Sequence, residues 1–134
     1  MHPIAAIVSR VLVVEDEEDL RRLYAAALLL AGFDVASVGD GFDALRHIEI
    51  DPPDLVLLDL GLPGVAGESV LNELAAHADT RDIPVVIVTG RIEVTVAAKA
   101  ACVLRKPVVP EELVRTVGAC LAASAPAKAS EREG

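Results

Sequence analysis

Apolar residues along this chain alternate between two rhythms. In the first they cluster in short runs, unbroken over Leu55 to Leu58 and continuous over Ile83 to Thr89, with further strand-like runs at Arg10 to Val14, Phe33 to Val38 and Ala101 to Arg105. Unbroken runs of Val, Ile and Leu are expected of strands covered on both faces of a parallel sheet. In the second rhythm they recur every three or four positions, as on one side of a helix. Leu20, Leu23, Tyr24, Ala27, Leu28 and Ala31 make such a stripe, with acids in its first turn and Gly32 as its stop. A second helix follows Gly39-Asp40-Gly41, with Phe42, Leu45 and Ile48 as its predicted inner face, and Asp51-Pro52-Pro53 closes it. A third runs from about Glu68 to His77 with Val70, Leu71 and Leu74 inward. The fourth, Glu93 to Ala100, mixes Val94, Thr95 and Val96 with good helix formers and is expected to be short or irregular. Pro110, backed by Glu111 and Glu112, opens a fifth whose stripe is Leu113, Val117 and Leu121.

Five strands alternating with five helices predict an α/β fold, a doubly wound parallel sheet with right-handed crossovers. One domain is expected over 10–122. It is preceded by a lead-in at 1–9 and followed at 123–134 by an Ala-, Ser-, Pro-, Lys- and Glu-rich stretch that reads as a disordered tail or linker stub.

Doubly wound sheets bind ligands beyond the carboxyl ends of their strands. The residues falling there are Glu15 and Asp16 at the head of a five-acid run after strand one, Asp59 after strand three, Thr89 after strand four and Lys106 after strand five. Asp59 is followed by Gly61, Pro63, Gly64 and Gly67, which cannot continue a strand and predict a shaped loop. Taken singly, an acid run is ordinary solvated charge, and a Lys-Pro pair or a strand-ending Thr is unremarkable. Together at successive strand ends they point to a site. Three carboxylates without sulfur suit a hard divalent cation, Mg²⁺ above others. The ammonium and the hydroxyl suit phosphoryl oxygens. The set fits phosphoryl chemistry with a carboxylate as acceptor.

At these residues the chain resembles the receiver domain of two-component response regulators, over about Arg10 to Ala122. The matching pieces are Val-Val-Glu-Asp at Val13 to Asp16, Leu-Leu-Asp-Leu-Gly-Leu-Pro at Leu57 to Pro63 with Gly67, Val-Thr-Gly at Val88 to Gly90, and Arg-Lys-Pro at Arg105 to Pro107. The resemblance implies a flavodoxin-like fold with strand order 2-1-3-4-5. It implies Asp59 as phosphoryl acceptor, Asp16 and Asp59 as direct Mg²⁺ ligands, Glu15 as a ligand through water and Gly61 as a backbone-carbonyl ligand. Thr89 and Lys106 would bind the phosphoryl group. The phosphate donor would be a partner histidine kinase or histidine phosphotransfer protein, with a downstream output protein or domain as reader and room for a homodimer. Such a domain is a signalling phosphoacceptor rather than an enzyme, limited to Mg²⁺-dependent self-phosphorylation and self-dephosphorylation.

The chain departs from the family pattern in its switch region. Val103 stands where receivers often carry an aromatic three residues before the Lys, and Val108 replaces the usual aromatic after Lys-Pro. The interval from Thr89 to Lys106 is also tighter. A β-branched Val is stiff and small, so any relay is expected to pass through backbone rearrangement of Gly90 to Ala100.

Composition narrows the choice further. Twelve Lys and Arg against 21 Asp and Glu, a net charge of −9, argue against direct nucleic-acid binding. Ile4 to Val14 is too short and too interrupted by charge for a signal peptide or membrane span. Cys102 and Cys120 lack metal-ligand spacing and read as reduced structural thiols, and His2, His47 and His77 as surface residues. A cytoplasmic location is expected. The competing reading is a receiver-like protein-interaction module not switched by phosphorylation. An aspartate-nucleophile phosphatase needs a second acid where Gly61 stands, and a flavodoxin's flavin phosphate would be repelled by the acidic first loop.

Overall fold

The computed structural model describes residues 8–61, 67–90 and 100–133, with side chains as far as Ser124. Five strands, β1 (Arg10–Val14), β2 (Asp34–Val38), β3 (Leu55–Asp59), β4 (Val85–Thr89) and β5 (Cys102–Arg105), form one parallel sheet in the order β2-β1-β3-β4-β5. The described helices are α1 (Glu18–Leu30), α2 (Gly41–Ile50), α3 (Gly67–Ala76) and α4 (Pro110–Glu133). The predicted helix over Glu93 to Ala100 and the relay segment it belongs to lie almost wholly outside the described residues.

Strand alternation sorts the apolar runs onto two faces. Leu12, Val14, Val56, Leu58, Val85 and Ile87 pack with Ala44 and Ile48 of α2 and Val70, Leu71 and Leu74 of α3. Val11, Val13, Leu55, Leu57, Val86 and Val88 pack with Tyr24 and Leu28 of α1 and Leu113 and Val117 of α4. Because helices cover both faces, no position along β3 or β4 faces water, and every residue of both strands is buried. That is why their sequences show no polar alternation.

Three expectations need correction. Phe42 is not on the inner face of α2: it is 60% exposed, while Gly41, Ala44 and Ile48 are the buried positions. The Asp40 carboxylate accepts from the Asp43 N–H and caps the helix, which sets its phase so that small residues meet the sheet. His47 is half-buried rather than a surface residue, whereas His77 is exposed, 3.4 Å from Glu73. Helix α4 does not stop near Ala122: its backbone is helical to Glu133, through most of the stretch expected to be a disordered tail or linker stub. That stretch is rich in Ala, the strongest helix former, and Pro126 alone breaks the series.

Gly32, at φ 102°, ends α1 in the left-handed region that favours glycine. Among the described residues, no helix is long and apolar enough to cross a membrane.

Candidate functional site

The carboxyl ends of β1, β3, β4 and β5 lie at one edge of the sheet, and each delivers a residue singled out from the sequence. Register brings them together: Val14 lies opposite Leu58, Asp59 opposite Val88 and Thr89 opposite Arg105. Each acid or hydroxyl therefore stands at or just beyond the last rung of its strand.

Glu15 directly follows β1, and its N–H donates to the Val38 carbonyl at 3.1 Å, extending the β1–β2 ladder. Its carboxylate turns inward, accepts from the Glu17 N–H at 3.2 Å, and leaves the residue 1% exposed. Asp16, one position on, faces solvent. Asp59 ends β3 at 6% exposure and accepts from the Gly61 N–H at 2.9 Å. Carboxylate oxygens of Glu15, Asp16 and Asp59 all lie within 4.8 Å of one another. Thr89, 1% exposed, ends β4, and its carbonyl accepts from the Lys106 N–H at 2.8 Å. The Lys106 ammonium reaches back between two of the acids, 3.1 Å from Glu15 Oε1 and 3.5 Å from Asp59 Oδ2. The first contact is ionic rather than an aligned hydrogen bond.

Two buried acids and one cation make an unbalanced set. Burial pushes the Glu15 carboxyl up to about 7, against the Glu17 N–H and Lys106, which draw it down, while the charge of Asp59 adds to the rise. Burial also works against the Lys106 ammonium, but its contacts with Glu15 and Asp59 outweigh that and raise its pKa, so the lysine stays charged. The folded state thus keeps a proton on Glu15 that the unfolded chain, with the ordinary value of 4.5, has lost. Metal-free stability is expected to fall as pH rises through that window, and to level above about 7. The total is on the order of 3 kcal/mol. Urea unfolding in chelator at pH 5 and pH 8 checks this: Glu15→Gln should lose less stability than the parent between the two. Equal losses would contradict it.

The oxygen-only donor set fits a hard divalent cation, which would offset the charge of Asp59 that adds to the burial-driven rise at Glu15. Val103, the predicted switch position, sits in β5 opposite Ile87, half-buried against the α2–α3 face. Val108 is buried on the other face. One residue of the site escaped the sequence reading. Arg21 of α1 folds back so that its Nη1 donates to the Glu15 carbonyl at 3.0 Å and the Asp16 carbonyl at 3.4 Å.

With this geometry in hand, comparison with known proteins is decisive. The response regulator receiver domain family matches residues 11–118. The chain belongs to that family. It is 38% identical over 117 residues to the DNA-binding response regulator MtrA of Mycolicibacterium paratuberculosis, covering 84% of this chain and 51% of that one. It is 46% identical over 81 residues to the sensory transduction protein RegX3 of Mycolicibacterium smegmatis, covering 60% and 34%. The chain thus spans about half the length, or less, of these relatives. Among solved structures it resembles a signal receiver domain from Vibrio parahaemolyticus, at 32% identity and TM-score 0.84 over 93% of this chain and 98% of that one. A CheY-like receiver domain protein from Methanospirillum hungatei matches at 25% identity and TM-score 0.80, over 95% and 99%. The protein is a receiver domain of the two-component response regulator type. This favours the phosphoacceptor reading over that of an unswitched interaction module.

Proposed function

We propose that this receiver accepts a phosphoryl group on Asp59 from a phosphohistidine of a histidine kinase or phosphotransfer protein, with Mg²⁺ bound at the acid pocket. The observation carrying the proposal is the placement of Asp59 at the mouth of β3, within reach of both the Lys106 ammonium and two further carboxylates. An Asp59 carboxylate oxygen forms a bond to phosphorus as the donor's N–P bond breaks, and the leaving imidazole keeps the electron pair and takes up a proton. Lys106 binds one phosphoryl oxygen as a point charge, and Thr89, at the adjoining strand end, binds another. Asp16 and Asp59 would hold the metal directly, with Glu15 acting through water and the Gly61 carbonyl completing the protein ligands. When bound, the cation offsets charge on the transferring oxygens.

The chemistry is confined to the domain's own aspartate, formed and hydrolysed there, so the product is a signal rather than a released metabolite. A linked or separate output element reads that signal, and any nucleic-acid contact belongs to such an element rather than to this acidic domain. Both cysteines are free. That suits a reducing compartment, and the proposed location is the cytoplasm.

The metal assignment is tested with Asp16→Asn. Removing one of three mutually repelling acids is expected to weaken Mg²⁺ binding roughly tenfold or more, while leaving the metal-free fold as stable as the parent or more so. Calorimetric Mg²⁺ titration beside a urea melt reads both. Unchanged Mg²⁺ affinity would remove Asp16 from the site.

A further inference from the structure

The turn that carries Glu15 and Asp16 lacks the usual fastening. Helix α1 starts at Glu18, directly behind the turn, and its N-cap residue, Glu17, makes no side-chain hydrogen bond to the helix's first N–H groups. Four consecutive acids, Glu15 to Glu18, lead into that start and repel one another. The Glu17 N–H bond to the Glu15 carboxylate holds the turn from within, and Arg21 ties it to α1. Its guanidinium donates through Nη1 to the Glu15 and Asp16 carbonyls, the two peptide units from which the metal-facing carboxylates spring.

The placement is unusual on two counts. A cation near a helix N-terminus opposes the helix dipole. Its hydrogen bonds to the turn go to main-chain carbonyls, even though the neighbouring side chains are acids. The guanidinium also lies against Gly39, in the turn between β2 and α2, where an added Cβ would stand 3.3 Å from Nη1. Arg21 therefore spans the first two strand ends while leaving the carboxylate oxygens to the pocket.

We propose that Arg21 is a positioning residue: by gripping the Glu15 and Asp16 carbonyls it fixes the direction in which those carboxylates face Asp59, and so sets the affinity of the pocket for a divalent cation. This rests on the reading of the pocket as a Mg²⁺ site. Arg21 touches neither the metal nor the phosphoryl group. Its effect is confined to how well the ligands are held before the cation arrives.

The test compares parent, Arg21→Met, Arg21→Gln, Arg21→Lys and Asp16→Asn. Calorimetric Mg²⁺ titration, metal-free urea melts and the Mg²⁺ dependence of labelling by acetyl phosphate are read for each. Losing charge-assisted bonds to two carbonyls is expected to weaken Mg²⁺ binding roughly three- to tenfold in the Met and Gln variants. Lys, which can still reach one carbonyl, falls between them and the parent. The half-saturating Mg²⁺ concentration for labelling rises, while the rate at saturating Mg²⁺ stays near that of the parent, a split that loss of fold would not produce. If Arg21→Met does not fold, Arg21→Gln is read in its place. Parent-like Mg²⁺ affinity in the folded variant overturns the role of Arg21 while leaving the pocket intact, provided that Asp16→Asn weakens binding. A saturating rate that falls as far as the affinity, without rescue by Lys, also overturns it. Parent-like affinity in Asp16→Asn fails the underlying metal assignment instead.

Discussion

Gly67→Ala is expected to cost the domain about 2–3 kcal/mol or more and to lower its melting temperature by roughly 10 °C, because there is no room for the methyl group. Gly67 opens α3 directly above the end of β3. A Cβ there would meet the Leu60 Cα at 2.6 Å and the Asp59 carbonyl oxygen at 2.7 Å. Both are backbone atoms, so no rotamer change relieves the overlap. Either α3 lifts from the sheet or the β3 end bends. Lifting α3 loosens Val70, Leu71 and Leu74 from the core they share with Val56 and Leu58. Bending β3 moves the Asp59 carboxylate away from Lys106 and from the other acids. The variant should therefore lose stability and Mg²⁺ affinity together, unlike Asp16→Asn, which loses affinity alone. A thermal melt and a Mg²⁺ titration on the same sample check the coupling. A parent-like melt would mean that α3 sits farther from β3 than described.

The glycine also shows what could be read from sequence and what could not. That Gly67 followed a strand-ending acid within a loop rich in Gly and Pro was visible, but its reason, close approach of two backbones, needed three dimensions. The strands were legible because a sheet covered on both faces demands continuous apolar runs, a local signal that β3 and β4 carry without exception. Asp59, Thr89 and Lys106 followed from those strands, since a residue ending a buried run must sit at the sheet's edge. Helix phase was harder to read. In α2 Ile48 is buried as predicted, but the other buried positions are Gly41 and Ala44, too small to give much hydrophobic signal, while the conspicuous Phe42 faces out. The length of α4 was hidden because an Ala-rich stretch reads as a linker by composition and as a helix by propensity. Arg21 was missed for a different reason. Its partners are main-chain carbonyls, which every residue possesses, so no pairing of side-chain types could announce it. The available hint was a cation placed just behind a run of acids, at a helix end where a cation is disfavoured.

The second large effect concerns Asp59. Its carboxylate is nearly buried, fixed on one oxygen by the Gly61 N–H and approached on the other by Lys106. Asp59→Asn keeps the side chain's size and its acceptor oxygen, but the amide is a far poorer nucleophile and carries no charge. Removing that charge also lessens the repulsion with Glu15 that burial makes costly, so the metal-free variant should be at least as stable as the parent. Any loss of labelling then reports on chemistry rather than on unfolding.

The most direct test is intact-mass spectrometry of the parent and Asp59→Asn after incubation with acetyl phosphate, with Mg²⁺ and with chelator. A single added phosphoryl group is expected on the parent, only when Mg²⁺ is present, and none on Asp59→Asn under either condition. Labelling of Asp59→Asn to the same extent as the parent, or labelling of the parent in chelator, would contradict the account.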